Sequence, residues 1–193
     1  MSRSALRIIH EEHRALAAML RSLRLLAEPL RDGREPDFGL MRAILFYIDE
    51  FPERLHHAKE SALLFPKLRA RAPQAAAVLD RLDAEHERGE RAILDLEHDL
   101  LAYEQMGESR REAFLHALER FVVFYLDHMQ VEEHDLLPLA ERALTDEDWA
   151  ELDRAFEENR DPLTGHRPSD EYAALFERII ARAPAPIGLG PAG

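Results

Sequence analysis

Cysteine is absent from the 193 residues. That excludes disulfides, zinc knuckles, thiol catalysis and cysteine-ligated iron–sulfur clusters. Glycine is scarce, with eight in all and four of them at or after Gly165. Strand signals are missing too, and Ala, Leu, Glu and Arg dominate, which is a helical composition. Basic residues are in deficit: 25 Lys and Arg face 38 Asp and Glu, for a net charge of -13. An acidic surface repels phosphate backbones, so a nucleic-acid partner is not expected. No apolar run of signal-peptide length opens the chain, and no 18-residue apolar stretch occurs. The expectation is a cytoplasmic protein without a membrane partner. The hydrophobic share of 46% is too high for a disordered acidic chain, and the length suits one domain with its own core. What stands out is ten histidines.

Punctuation divides the chain. Long helical stretches are predicted over about Ser4–Leu30, Asp37–Arg71, Pro73–Met106 and Ser109–Leu144, broken near Gly33, Pro36, Pro73 and Gly107. Short connections between them predict an all-α fold, an up-down-up-down four-helix bundle over 1–144. Residues 145–182 read as an extension of two short accessory helices. The first opens on a capping box at Thr145–Asp148 and the second near Ser169. The Pro/Gly-rich tail, 183–193, reads as extended or disordered. No chemistry is evident in the extension.

Helical phase at about 100° per residue sorts core from surface. Leu6, Ile9, Leu16 and Leu20 share a face with His13. Leu79, Leu82, Ile93 and Leu100 surround His86, and Phe114, Phe121, Phe124 and Leu139 surround His128. Leu45 and Leu63 share a face with His56 on a helix that Pro52 should kink. Each long helix thus places one histidine inward near its middle. Two carry a carboxylate one turn on, His56 with Glu60 and His128 with Glu132. Buried imidazoles and carboxylates need a partner, because unpaired buried charge is costly. A metal pair answers this, and the ligand types permit iron, manganese or zinc.

The pattern repeats. His56 to His128 and Glu60 to Glu132 are each 72 positions, and His13 to His86 is 73. Leu64-Phe65-Pro66 follows Glu60 as Leu136-Leu137-Pro138 follows Glu132. One helical hairpin used twice would face two half-sites across a pseudo-twofold.

With Ile9-His-Glu-Glu-His-Arg14, His56-His-Ala-Lys-Glu60 before Leu63-Leu-Phe-Pro66, Glu85-His86, and His128-Met-Gln-Val-Glu132 before Leu136-Leu-Pro138, residues 5–140 resemble a hemerythrin-like (HHE cation-binding) domain. The resemblance implies a non-heme di-iron centre with an oxo or hydroxo bridge. It implies His13 and His56 on one iron, His86 and His128 on the other, and Glu60 and Glu132 bridging. Oxygen-carrying members use a fifth histidine four residues after the third-helix ligand. Glu90 stands there, so the chain resembles the four-histidine bacterial branch, with Glu90 a further ligand or hydrogen-bond partner. Expected small ligands are O2, NO or peroxide, with iron storage or sensing as a further possibility. The redox or regulatory protein partner is unknown. An oxidoreductase consuming peroxide or nitric oxide, and a helical regulatory module with a structural metal, are the alternatives. Members that repair iron–sulfur centres carry a cysteine-bearing segment that has no counterpart in this sequence.

His57 points about 100° from His56 and reads as exposed or as a neighbour of the ligands. Glu133 and His134 lie beside the site or on the surface, His10 sits at an edge, and His98, His116 and His166 read as solvated. Tyr47 and Tyr125 read as packing. A ferritin-like site needs Glu-x-x-His on two helices, and only Glu53–His56 fits. No His-Glu-x-x-His motif occurs, which excludes a zinc protease of that kind. A phosphotransfer bundle, suggested by His56-His-Ala-Lys59, leaves His13, His86 and His128 unexplained.

Overall fold

The computed structural model describes residues 3–190. Helix α1, Ser4–Arg31, presents Leu6, Ile9, His13, Leu16, Leu20 and Leu23 as one buried stripe. Its first turn lacks a cap of its own, and Asp153 from the extension accepts from the Ala5 N–H at 2.7 Å. Helix α2 occupies residues 38–71. Asp37 caps it by accepting from the Leu40 N–H at 3.0 Å. It is α-helical over Phe38–Ile48, π-helical over Asp49–His57 and Glu60–Leu64, and α-helical again over Phe65–Arg71. Helix α3, Ala76–Met106, stops at Gly107, whose φ of 71° a side chain would resist. Helix α4 fills residues 111–143 and is interrupted by a π-helical stretch at Glu132–Leu136.

The π stretches have a local cause. A proline inside a helix cannot donate, and its ring clashes with the carbonyl four residues back. Pro52 lies within the first stretch, and Pro66 and Pro138 follow the other two. The Phe65 N–H donates to the Glu60 carbonyl, the wider π spacing, and the end of the α4 stretch does the same from Leu137 to Glu132. Pro52, the expected site of a kink, thus lies inside a widened stretch of its helix.

Helix α5, Asp146–Phe156, opens on the expected capping box of Thr145 and Asp148. Helix α6, Ala173–Arg182, follows a loop through 157–172. Residues 183–190, read from sequence as part of an extended or disordered tail, turn back on α6. The Leu189 N–H donates to the Ile180 carbonyl and the Gly190 N–H to the Ala183 carbonyl, both at 2.9 Å. A Cβ at Gly190 would collide with the Arg182 carbonyl, so the return needs glycine. Residues 191–193 lie outside the described residues. Among the described residues the fold is all-helical, with no strand.

Buried apolar side chains form two clusters. One gathers Leu16–Leu30, Leu40–Phe51, Ile93–Tyr103 and Phe114–Met129 with Phe176 and Ile179 of α6. The other gathers Ala5–Ile9, Leu64–Ala72, Ala75–Leu82 and Leu136–Leu144 with Trp149 and Phe156 of α5. Between them, on every long helix, lie most of the buried polar residues: Glu12 and His13, then Glu53, His56, His57 and Glu60, then Glu85 and His86, then His128 and Glu132.

Candidate metal centre

All six residues singled out by spacing meet in this gap. His13, His56, His86 and His128 are at most 6% exposed, and Glu60 and Glu132 are fully buried. The imidazoles meet in pairs: His13 and His56 bring their Nε2 atoms to 3.2 Å, and so do His86 and His128. The carboxylates lie between the pairs. Glu60 Oε2 is 3.3 Å from His56 Nε2 and 3.6 Å from His86 Nε2. Glu132 Oε2 is 3.3 Å from His13 Nε2, and its Oε1 is 3.4 Å from His128 Nε2 and 3.6 Å from His86 Nε2.

The other nitrogen of each ring is taken. Glu12 lies 2.7 Å from His56 Nδ1, Glu85 3.0 Å from His128 Nδ1, Glu133 3.1 Å from His13 Nδ1, and the Ser61 hydroxyl 2.8 Å from His86 Nδ1. An ionised carboxylate only accepts, so the Nδ1–H donates to it and the Nε2 lone pair faces inward. These partners obey the repeat. Glu12 and Glu85 each precede a histidine and hold the partner of that histidine, while Ser61 and Glu133 each follow a central glutamate. Glu12 is itself gripped by the Asn159 amide, which donates to both its oxygens at 2.9 and 3.0 Å. Arg81 Nε donates to one oxygen of Glu85, Oε1, at 2.7 Å.

Two inward lone pairs 3.2 Å apart repel unless a cation lies between them. At metal–nitrogen bonds of about 2 Å, atoms that far apart can share one ion. The oxygens concur: all four carboxylate oxygens of Glu60 and Glu132 are buried without a hydrogen-bond partner. The residues therefore fit a metal pair. Burial alone would lower His56, but Glu60 and Glu12 raise it well above 6.5. Burial would raise Glu132, but His128, His13 and His86 hold it well below the usual carboxylate range.

Two sequence expectations are corrected, and for His57 the reading as a neighbour of the ligands is the one that holds. His57 is neither exposed nor turned away. It is 3% exposed, because the wider turn over Asp49–His57 brings both adjacent histidines inward. Its Nδ1 lies 3.1 Å from Glu53 Oε2, and it gathers with His86 and His128 in a second potential metal group, the first being His13, His56, Glu60 and Glu132. Glu90 is exposed and does not join the centre. The extension is not chemically idle, since Asn159 orients Glu12 and Lys59 donates to the Ala155 carbonyl at 2.6 Å. Asp161 accepts from the Tyr47 hydroxyl at 2.6 Å.

Glu133 lies beside the site, as one of its two readings had it. His134 is exposed and bonds its own helix at Gln130, and His10 is an edge residue. His98, His116 and His166 are exposed. Glu12, Glu85 and Ser61 were missed as holders of imidazoles. Their signal was present, because each adjoins a ligand candidate in both copies of the repeat. A small cavity beside His13 and His56 is lined by Leu16, Phe51, Pro52, Glu12 and Asp161.

Comparison with known proteins agrees with this geometry. No solved structure matches the chain. A stretch of 75 residues is 33% identical to the transcription factor IWS1 of Candida glabrata, covering 36% of this chain and 20% of that protein. The chain thus spans about a fifth of that relative's length, too little to carry an argument about activity. The sequence profile of the hemerythrin HHE cation-binding domain matches residues 4–140. That span holds every residue of the buried His/Glu cluster, and the chain belongs to the hemerythrin HHE cation-binding domain family, whose members bind metal.

Proposed function

We propose that this chain is a cytoplasmic non-heme di-iron protein that binds or senses O2, NO, peroxide or iron. His13 and His56 would hold one ion, His86 and His128 the other, and Glu60 and Glu132 would bridge them. The bundle would run up-down-up-down. In support, each apolar cluster draws alternately on the beginning and end of successive long helices. The observation that carries the reading is the pair of Nε2···Nε2 contacts at 3.2 Å, flanked by four unpartnered carboxylate oxygens.

Iron bound there would supply a redox-active pair with room for a small ligand. The chain's own residues then do the rest. Glu12, Glu85, Glu133 and Ser61 fix the imidazoles and raise their basicity. Leu16, Phe51 and Pro52 close the His13 and His56 side together with the carboxylates of Glu12 and Asp161. The two apolar clusters keep bulk water from both ends.

The test is metal content per chain, with absorption spectra before and after dithionite and then air. Two irons per chain, with a spectrum that bleaches and returns, is the expected result. Zinc alone, or no metal in a folded chain, would move the reading to a structural or interaction module. Steady turnover of peroxide or nitric oxide with reductant would identify an oxidoreductase.

A further inference from the structure

The internal repeat fails at one place. Shifted by 72 positions, Glu53 and His57 fall on Tyr125 and Met129, so one half of the centre has an imidazole where the other has a thioether. We propose that His57 is a third imidazole donor to the ion held by His86 and His128, so that five histidines divide unevenly, two and three, between the ions. This rests on the two-metal reading of the centre.

Four observations carry it. Ring nitrogens of His57, His86 and His128 all lie within 4.8 Å of one another. The His57 ring stacks on that of His86, with centroids 4.4 Å apart and planes 15° from parallel, and stands edge-on to that of His128 at 5.3 Å, so a turn of the His57 ring out of the stack would bring it to the same ion. Glu53 stands at Nδ1 of His57, which leaves Nε2 for an ion. Glu12 serves His56, and Glu85 serves His128, in the same way. Finally, the space is made deliberately. A Cβ at position 89 would collide with the Tyr125 hydroxyl and come within 3.3 Å of Glu53 Oε1, so the carboxylate that fixes His57 needs Gly89 opposite it. In a regular α-helix His57 would face away, and the π-helical stretch that turns it inward sacrifices backbone hydrogen-bond regularity to do so.

The experiment is a zinc titration of the full chain followed by ring-nitrogen NMR of 15N-histidine-labelled protein. The expected result is that the His57 ring signal moves to a zinc-bound position on the same equivalent that moves His86 and His128. Signals of His86 and His128 that move while His57 stays at free-imidazole positions would overturn the proposal and leave the two-metal reading intact. If no second equivalent binds and neither pair moves, both fall. In His57→Gln the affinity for the second zinc should drop at least ~10-fold with the first unaltered; two unaltered affinities would also overturn the proposal.

Discussion

Each imidazole of the centre has one nitrogen committed to the fold and one to the interior, and the commitment is enforced from outside. Asn159→Ala would remove both amide contacts to Glu12 and so release His56. We expect a loss of about 1.5–3 kcal/mol in stability, typical for hydrogen bonds to a charged group. A roughly 10-fold weaker first metal site should accompany it. Urea unfolding and metal titration measure the two, and an unaltered affinity would refute the link. Gly89→Ala gains about 1 kcal/mol of helix propensity but forces the buried Tyr125 ring to move. Overpacking costs typically about 1–3 kcal/mol, so the net should be a loss of up to about 2 kcal/mol, read in the same unfolding experiment.

Asp161 provides a pH test. Burial pushes its carboxyl from 3.8 up to about 6, against the pull of the Tyr47 and Leu163 donors. The folded state thus holds the proton more tightly than the unfolded chain. That stabilisation is complete below about pH 4 and is lost as pH rises through about 6. Asp161→Asn, which has no proton to lose, should flatten this part of the profile. The wild type minus variant difference should change by about 2–3 kcal/mol across that window. A difference that stays constant from pH 4 to 7 would show that Asp161 is not the group responsible.

At the scale of elements, the deciding feature is the widened turn. In both halves the wide hydrogen bond begins at the central glutamate, Glu60 or Glu132, just before a proline. The proline sets where the helix opens, and the opening sets which way the glutamate faces. The connection after α5 is the other deciding element, because it reaches the centre through Asn159 and shares its core through Phe156. Metal loading should therefore protect the 157–170 loop from proteolysis by fixing His56, Glu12 and Asn159 together. Asn159→Ala should abolish the protection while leaving the rest of the cleavage pattern alone. Equal cleavage with and without metal would show that the extension does not report on the centre.

At the scale of the whole molecule, two apolar clusters flank a charged middle. A fully buried leucine contributes roughly 1.5–3 kcal/mol, whereas a buried ion costs several kcal/mol after relaxation. The ends therefore carry the fold and the centre draws on them until cations arrive. Two ions, each at about 100 times its dissociation constant, would add about 2.7 kcal/mol apiece. For a domain of this size that is on the order of 10–20 °C in Tm. Calorimetry before and after chelation tests this. A Tm that chelation leaves in place would mean that the centre gains no stabilisation from metal.

Periodicity and spacing alone determined much of this protein. Four inward histidines, two of them with a carboxylate at i+4, recur at intervals of 72 or 73 residues, and the face each one takes follows from the regular pitch of a helix. The capping box at Thr145 and the stop at Gly107 were legible for the same reason, being local chemistry. His57 was not, because its direction depends on a departure from α-helical pitch that neighbouring packing must stabilise. Asn159 and Asp161 were not legible either. They lie 147 positions from Glu12 and 114 from Tyr47, and only the docking of the extension brings them there. The sequence named the residues that face inward; the tertiary structure decided which of them touch, because contact between distant segments comes from the burial of apolar faces, which sequence spacing does not encode.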